Sequence, residues 1–136
     1  MKKQVLAVAA AAIAMLGMPN TGWADGRVAR ALFTTGIEGH EPVGRVEQLA
    51  RSADQVFFFT ELVGMEGRRV VHRWEYRGEM MAEVAFQVEG PRWRVWSSKS
   101  LIPRWKGVWR AVVTSASGEV LAEERFVYGA KMTGDK

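Results

Sequence analysis

From Val70 to Arg77 the chain alternates: Val70, His72, Trp74 and Tyr76 fall on one side, and Val71, Arg73, Glu75 and Arg77 on the other. A period of two marks a strand with one buried and one solvated face. The period returns from Met80 to Glu89, where Met80, Ala82, Val84, Phe86 and Val88 alternate with Met81, Glu83, Ala85, Gln87 and Glu89. It returns again from Arg92 to Trp96, where Trp93 and Val95 oppose Arg92, Arg94 and Trp96. Four further segments are rich in β-branched and aromatic residues: Val28–Thr35, Val56–Val63 with three consecutive Phe, Val108–Thr114, and Val120–Tyr128. Turn signals lie between them at Gly36–Pro42, Gly64–Gly67, Arg77–Glu79, Glu89–Pro91 and Ser115–Gly118. Val43, Val46, Leu49 and Ala50 are spaced as on a short helix or along a bent strand, and the spacing does not choose between them. Ser97 to Lys106, which contains Pro103, reads as irregular. About seven strands with at most one short helix predict an all-β fold, an antiparallel β-sandwich of immunoglobulin-like topology.

The first 24 residues stand apart from this pattern. Lys2 and Lys3 precede an apolar run from Val5 to Met18, then Pro19-Asn20-Thr21, then Gly22-Trp23-Ala24. That is the layout of a secretory signal peptide cleaved after Ala24. The run of 14 residues falls short of the roughly 20 that span a bilayer as a helix. The expected organisation is therefore a signal peptide at 1–24, a sandwich domain at 25–128 and a frayed polar tail at 129–136. The expected location is the periplasm or the exterior of a bacterial cell. Contact with a membrane surface stays compatible with this organisation, but a span does not once the leader is removed.

Removing Lys2 and Lys3 leaves 17 basic against 15 acidic groups, so the high isoelectric point overstates the basicity of the working domain. Such a balance does not point to nucleic acid. Cys is absent, so stability must come from packing, for which five of the six Trp, all six Phe and both Tyr remain.

Catalytic and metal chemistry find little footing. His40 and His72 are the only His, and no His-Glu-x-x-His spacing exists, so no metal or other cofactor is expected. Ser98 and Lys99, within Ser97-Ser98-Lys99-Ser100, could make a Ser–Lys dyad only with a desolvated amine. Glu75, Glu83 and Glu89 are expected on solvated strand faces. His72 shares the face assigned to the core, where a hydrogen-bonded neutral imidazole is expected and a pH-responsive one is the sharper alternative. The domain is read as non-enzymatic, with a small hydrolase or transferase using Ser98, Lys99 or a Glu as the alternative.

The informative feature is the mixing of Arg with Trp in Arg73-Trp74-Glu75-Tyr76-Arg77, Arg92-Trp93-Arg94-Val95-Trp96 and Arg104-Trp105-Lys106-Gly107-Val108-Trp109-Arg110. By parity, Trp74, Trp93 and Trp109 fill the core while Arg73, Arg77, Arg92, Arg94 and Arg110 lie outside. Trp96 and Trp105 are left as candidates for exposure; in the competing structural reading they pack under the Pro103 loop while the Arg stems cover apolar surface and pair with Glu75, Glu83 and Glu89 across strands. If the strands are neighbours, Arg73, Arg92, Arg94, Trp96, Arg104 and Trp105 form one ligand face. Trp and Arg are enriched at interface hot spots, and Arg grips carboxylates through paired hydrogen bonds. The expected partner is an envelope protein or an anionic glycan.

Several segments taken together resemble one bacterial family. Phe58-Phe59-Thr60-Glu61-Leu62, His72-Arg73-Trp74-Glu75-Tyr76, Arg92 to Lys99 and Gly107-Val108-Trp109 are similar to the domain-of-unknown-function family numbered twenty-nine fourteen. Phe33 to Ile37, Glu41-Pro42, Gly118 to Leu121 and Phe126-Val127-Tyr128 fit the same pattern, so the resemblance covers residues 28–128. It implies an exported or membrane-attached β-domain and assigns no activity, so no catalytic residue is carried over.

Overall fold

The computed structural model describes residues 26–129. The expected leader at 1–24 and the tail beyond Gly129 lie outside the described residues. The strands are β1 (Arg27–Thr34), β2 (Ile37–Glu38), β3 (Glu41–Pro42), β4 (Gln48–Leu49), β5 (Gln55–Val63), β6 (Arg69–Tyr76), β7 (Glu79–Gln87), β8 (Arg92–Ser100), β9 (Gly107–Ser115) and β10 (Val120–Tyr128). One sheet has the order β1-β5-β8. The other has the order β4-β10-β9-β6-β7, and β2 pairs with β3 alone. All pairings are antiparallel except the two-residue pairing of β4 with β10. Successive long strands change sheet between β5 and β6, β7 and β8, and β8 and β9. These crossings give an immunoglobulin-like sandwich.

Inward parity builds the core. Val70, His72, Trp74 and Tyr76 on β6 are all buried, as the alternation requires. Trp74 meets Phe33 and Phe58 from the facing sheet at ring-centroid distances of 5.7 and 6.2 Å. Trp109 stacks on Tyr76 at 4.8 Å. Truncating such an aromatic to Ala typically costs roughly 3–5 kcal/mol, so these rings dominate the stability of a fold without disulfides. The loop after β8 is pinned to this core: Trp109 Nε1 donates to the Trp105 carbonyl at 2.9 Å and the Tyr76 hydroxyl to that of Lys106 at 2.8 Å.

Three local expectations change. Residues 43–50 hold no helix; the chain runs irregularly into the short strand β4, whose Leu49 is buried. Ser97–Ser100 is the second half of β8 rather than loop, because Ser97 finds buried partners for its hydroxyl. The one helical element among the described residues is the 3-10 turn Pro103–Trp105. Single extra residues also bulge three strands: Ala29 on β1, Met81 on β7 and Leu121 on β10. Strand β8 pairs with β5 through nine positions without a break.

Candidate functional site

The topology divides the six residues expected to form one face. Strands β6 and β9 are neighbours, but β8 belongs to the other sheet. Arg73 therefore stands on the outer side of the five-stranded sheet, 3.5 Å from Glu75, which also takes Arg110 at 2.6 Å. Arg92, Arg94 and Trp96 stand on the opposite surface of the molecule, on the outer side of the three-stranded sheet. Arg104 is exposed on the 3-10 turn. Trp105 lies half-buried against Trp109, with the Lys99 ammonium 4.8 Å from its ring centre. Alternation reports which way a side chain points from its own strand. It does not report which sheet the strand joins, and so the single cationic patch gives way to a smaller cluster of Arg92, Arg94 and Trp96. Trp96 and Trp105 form no common platform.

That cluster rests on an outer face that is itself partly apolar. Leu32, Phe59 and Trp96 lie side by side across β1, β5 and β8. Phe59 is fully buried, although its neighbours Phe58 and Thr60 are the residues that point into the sandwich. Arg30 lies over Phe59, with its guanidinium 5.0 Å from the ring centre, and Glu41 of the β2–β3 hairpin holds that guanidinium. Gly39 and His40, both with positive φ, form the hairpin's two-residue turn, as in type I′ geometry. His40 thereby sits edge-on to Trp96 at 5.6 Å.

Charges alternate across this face. Arg92 donates to Glu61 at 2.6 Å, and Arg30 donates to Glu61 at 2.7 Å and to both oxygens of Glu41 at 2.9 Å. Arg94 completes the row by donating to Glu41 at 2.6 Å. The row Arg92–Glu61–Arg30–Glu41–Arg94 ties the hairpin to all three strands. Its arginines hold the Glu61 carboxyl below the usual carboxylate range, chiefly through the Arg92 hydrogen bond and against the opposing pull of burial. They lower Glu41 to about 2, chiefly through Arg30. Arg30 is raised by Glu41 first and Glu61 second. The carboxylates that pair with Arg92 and Arg94 are thus Glu61 and Glu41, while Glu75 pairs with Arg73 and Arg110. Glu61 carries a legible signal: it is the one charged residue of β5.

A cleft of about 340 Å³ opens beside the row, lined by His40, Arg92, Trp93, Arg94, Val95 and Trp96. A second recess shares Arg94, Val95 and Trp96 and adds Phe86 of β7. Trp93 and Val95 point inward while Arg92, Arg94 and Trp96 point outward, so the depression wraps around the free edge of β8. Each of Arg92 and Arg94 commits Nη1 to a carboxylate, and a guanidinium carries five N–H donors.

Inside the sandwich the chemistry differs. His72 is fully buried, with Nδ1 2.8 Å from the Ser97 hydroxyl and Nε2 3.0 Å from that of Thr60. Trp74 Nε1 donates to the same Ser97 oxygen at 3.0 Å. Burial alone pushes the imidazole down to about 3, so it is neutral. This is the hydrogen-bonded core His expected from its parity. A Ser98–Lys99 dyad is not assembled, since consecutive strand residues face opposite ways and Lys99 lies over Trp105. Among the described residues no three His, Asp or Glu side chains gather as a metal requires. No helix among them is long and apolar enough to cross a membrane.

Residues 67–128 match the model of a family described as a protein of unknown function, DUF2914. It is the family whose motifs the sequence resembles. The matched stretch holds β6 to β10 and all six expected site residues. Glu61 and Glu41, which pair with Arg92 and Arg94, precede it, as do Arg30, which links the two carboxylates, and His40 beside Trp96. No curated protein matches the chain.

Proposed function

We propose that this domain, whose residues 67–128 match the DUF2914 family model, is a non-enzymatic binding module of the bacterial cell envelope. It holds an anionic group of a glycan or a protein partner on the face made by Arg92, Arg94 and Trp96. One observation carries this reading. Two guanidiniums are braced in place by Glu61 and Glu41, yet each keeps further donors beside an open cleft and a half-buried Trp. A carboxylate accepts two parallel N–H bonds from one such group, and an indole offers a flat surface to whatever carries the carboxylate. The bracing lowers the entropy lost on binding, because the side chains are already ordered. Arg73, Arg104 and Trp105 stand outside this face. The envelope assignment is supported by the leader pattern at 1–24.

The test compares capture of envelope glycan and protein by the wild type and by Arg92→Gln/Arg94→Gln, at low and moderate salt. Glutamine removes the cations without setting a new carboxylate against Glu61. Salt-sensitive capture by the wild type, lost in the variant, is the expected result. Equal capture by the two proteins rejects the face.

A further inference from the structure

Strand β8 ends the three-stranded sheet and is bonded on one side only. Backbone bonds beyond its two ends set the phase of the ladder. Gly64 N–H donates to the Pro91 carbonyl at 2.9 Å, and Leu101 N–H donates to that of Asp54 at 2.9 Å. Bonded and non-bonded pairs alternate along an antiparallel ladder. Through the unbroken register, Trp93, Val95, Ser97 and Lys99 therefore turn their backbone groups toward β5. Those of Arg92, Arg94, Trp96 and Ser98 point away from the sheet. The bulges on β1, β7 and β10 interrupt those strands as templates, whereas β8 has neither a bulge nor a Pro.

We propose that β8 is a strand-addition site. Its occupant is an extended polypeptide segment that carries acidic side chains on one face and apolar ones on the other. The segment becomes a fourth strand beside β8, bonded to the outward backbone groups of Arg94, Trp96 and Ser98. This deepens, and rests on, the anion-binding reading of the same face. Charge complementarity selects the occupant. An added strand brings its side chains directly opposite those of β8, and opposite charges are favoured there. On the outer side these neighbours are Arg92 and Arg94. On the inner side they are Val95 and the recess that reaches Phe86. A second copy of β8 fits poorly, since that strand carries Arg92, Arg94 and Lys99 and no acid.

The probe is a blocked nine-residue peptide alternating Glu and Val, titrated into the full chain. Beside it run two N-methylated versions, one on each alternate set of amides, and a Lys/Val peptide. The variant is Ser98→Pro, which removes an N–H that points out of the sheet and leaves both arginines in place. The wild type is expected to bind the Glu/Val peptide and to ignore the Lys/Val one. Ser98→Pro and one N-methylated version, not both, should each weaken binding at least tenfold, and the Trp96 amide should gain protection from hydrogen exchange. If Ser98→Pro does not fold, the two N-methylated peptides decide alone. Equal binding of all acidic peptides to wild type and variant overturns strand addition but leaves the anion face standing, provided Arg92→Gln/Arg94→Gln abolishes it. No binding of any acidic peptide overturns strand addition, and capture of envelope glycan then decides the anion face separately. Self-association of the chain that acidic peptide does not reverse makes a second copy the occupant and overturns the proposal.

Discussion

Thr60 and Glu61 are consecutive residues of β5, and each begins a polar network of a different kind. Thr60 points inward to His72, Ser97 and Trp74, a network built of neutral groups. Glu61 points outward to Arg92 and Arg30, and through Glu41 to Arg94, a network built of full charges. The difference follows from solvent. An ion deep in the sandwich would lose its hydration with nothing to replace it, so the imidazole stays neutral. On the outer face Arg30, Arg92 and Arg94 remain partly wet, so a nearly buried Glu61 keeps its charge with two partners. The inner network serves specificity of packing. The outer one serves to hold a hairpin and two arginines in place.

The largest effect is expected from Ser97→Ala, which leaves His72 Nδ1 and Trp74 Nε1 facing no acceptor or donor. Two buried groups deprived of a partner predict a loss of roughly 2–4 kcal/mol in denaturant unfolding. A loss below about 1 kcal/mol would mean that the network relaxes around another partner. Next in size is the pH response of His72. Its folded value, about 3, lies below the ordinary 6.5, so the unfolded chain takes up a proton that the fold refuses. Stability is therefore full above 6.5 and falls as pH drops from 6.5 toward 3. The slope approaches about 1.4 kcal/mol per pH unit. His72→Gln should fold and be flat from 6.5 down to about one unit above the ordinary carboxylate value of 4.5, below which Glu41 and Glu61 add their own slope. A slope unchanged by that substitution would show that another group titrates.

Glu61→Gln tests the outer network. Removing a nearly buried anion between two partly wet arginines should cost roughly 1–3 kcal/mol at neutral pH. The cost should vanish in acid, because a carboxyl with a lowered folded value contributes stability above its ordinary value and loses it as pH falls through the folded one. Unfolding curves of wild type and variant that converge at low pH would agree. Curves that stay parallel would assign the loss to packing. The smallest effect is expected from Glu41→Gln: a near-unchanged melting temperature, with faster amide exchange in the β2–β3 hairpin and faster N–H exchange of the Arg30 and Arg94 guanidiniums.

Much of this was legible from spacing. The alternation through β6 placed Val70, His72, Trp74 and Tyr76 inside, and all four are buried. Parity also put Trp93 and Trp109 on the core side. What spacing could not carry was sheet membership, a nonlocal property set by which strands pair. That is why Arg73 and Arg92 lie on opposite surfaces. Ser97 is opaque for a related reason: a polar residue near a strand end looks like loop until its buried partner, 25 residues away, is known. The hairpin that braces Arg94 had no legible role, since Glu41-Pro42 is too short to show a period.

The three bulged strands have a consequence for assembly. Sheets grow into fibres only when every molecule offers two matching straight borders, one to receive and one to be received. Among the described long strands β8 alone offers a free border without a bulge, so docking along it ends with the first guest, and crowding copies of the chain should not produce open-ended polymers.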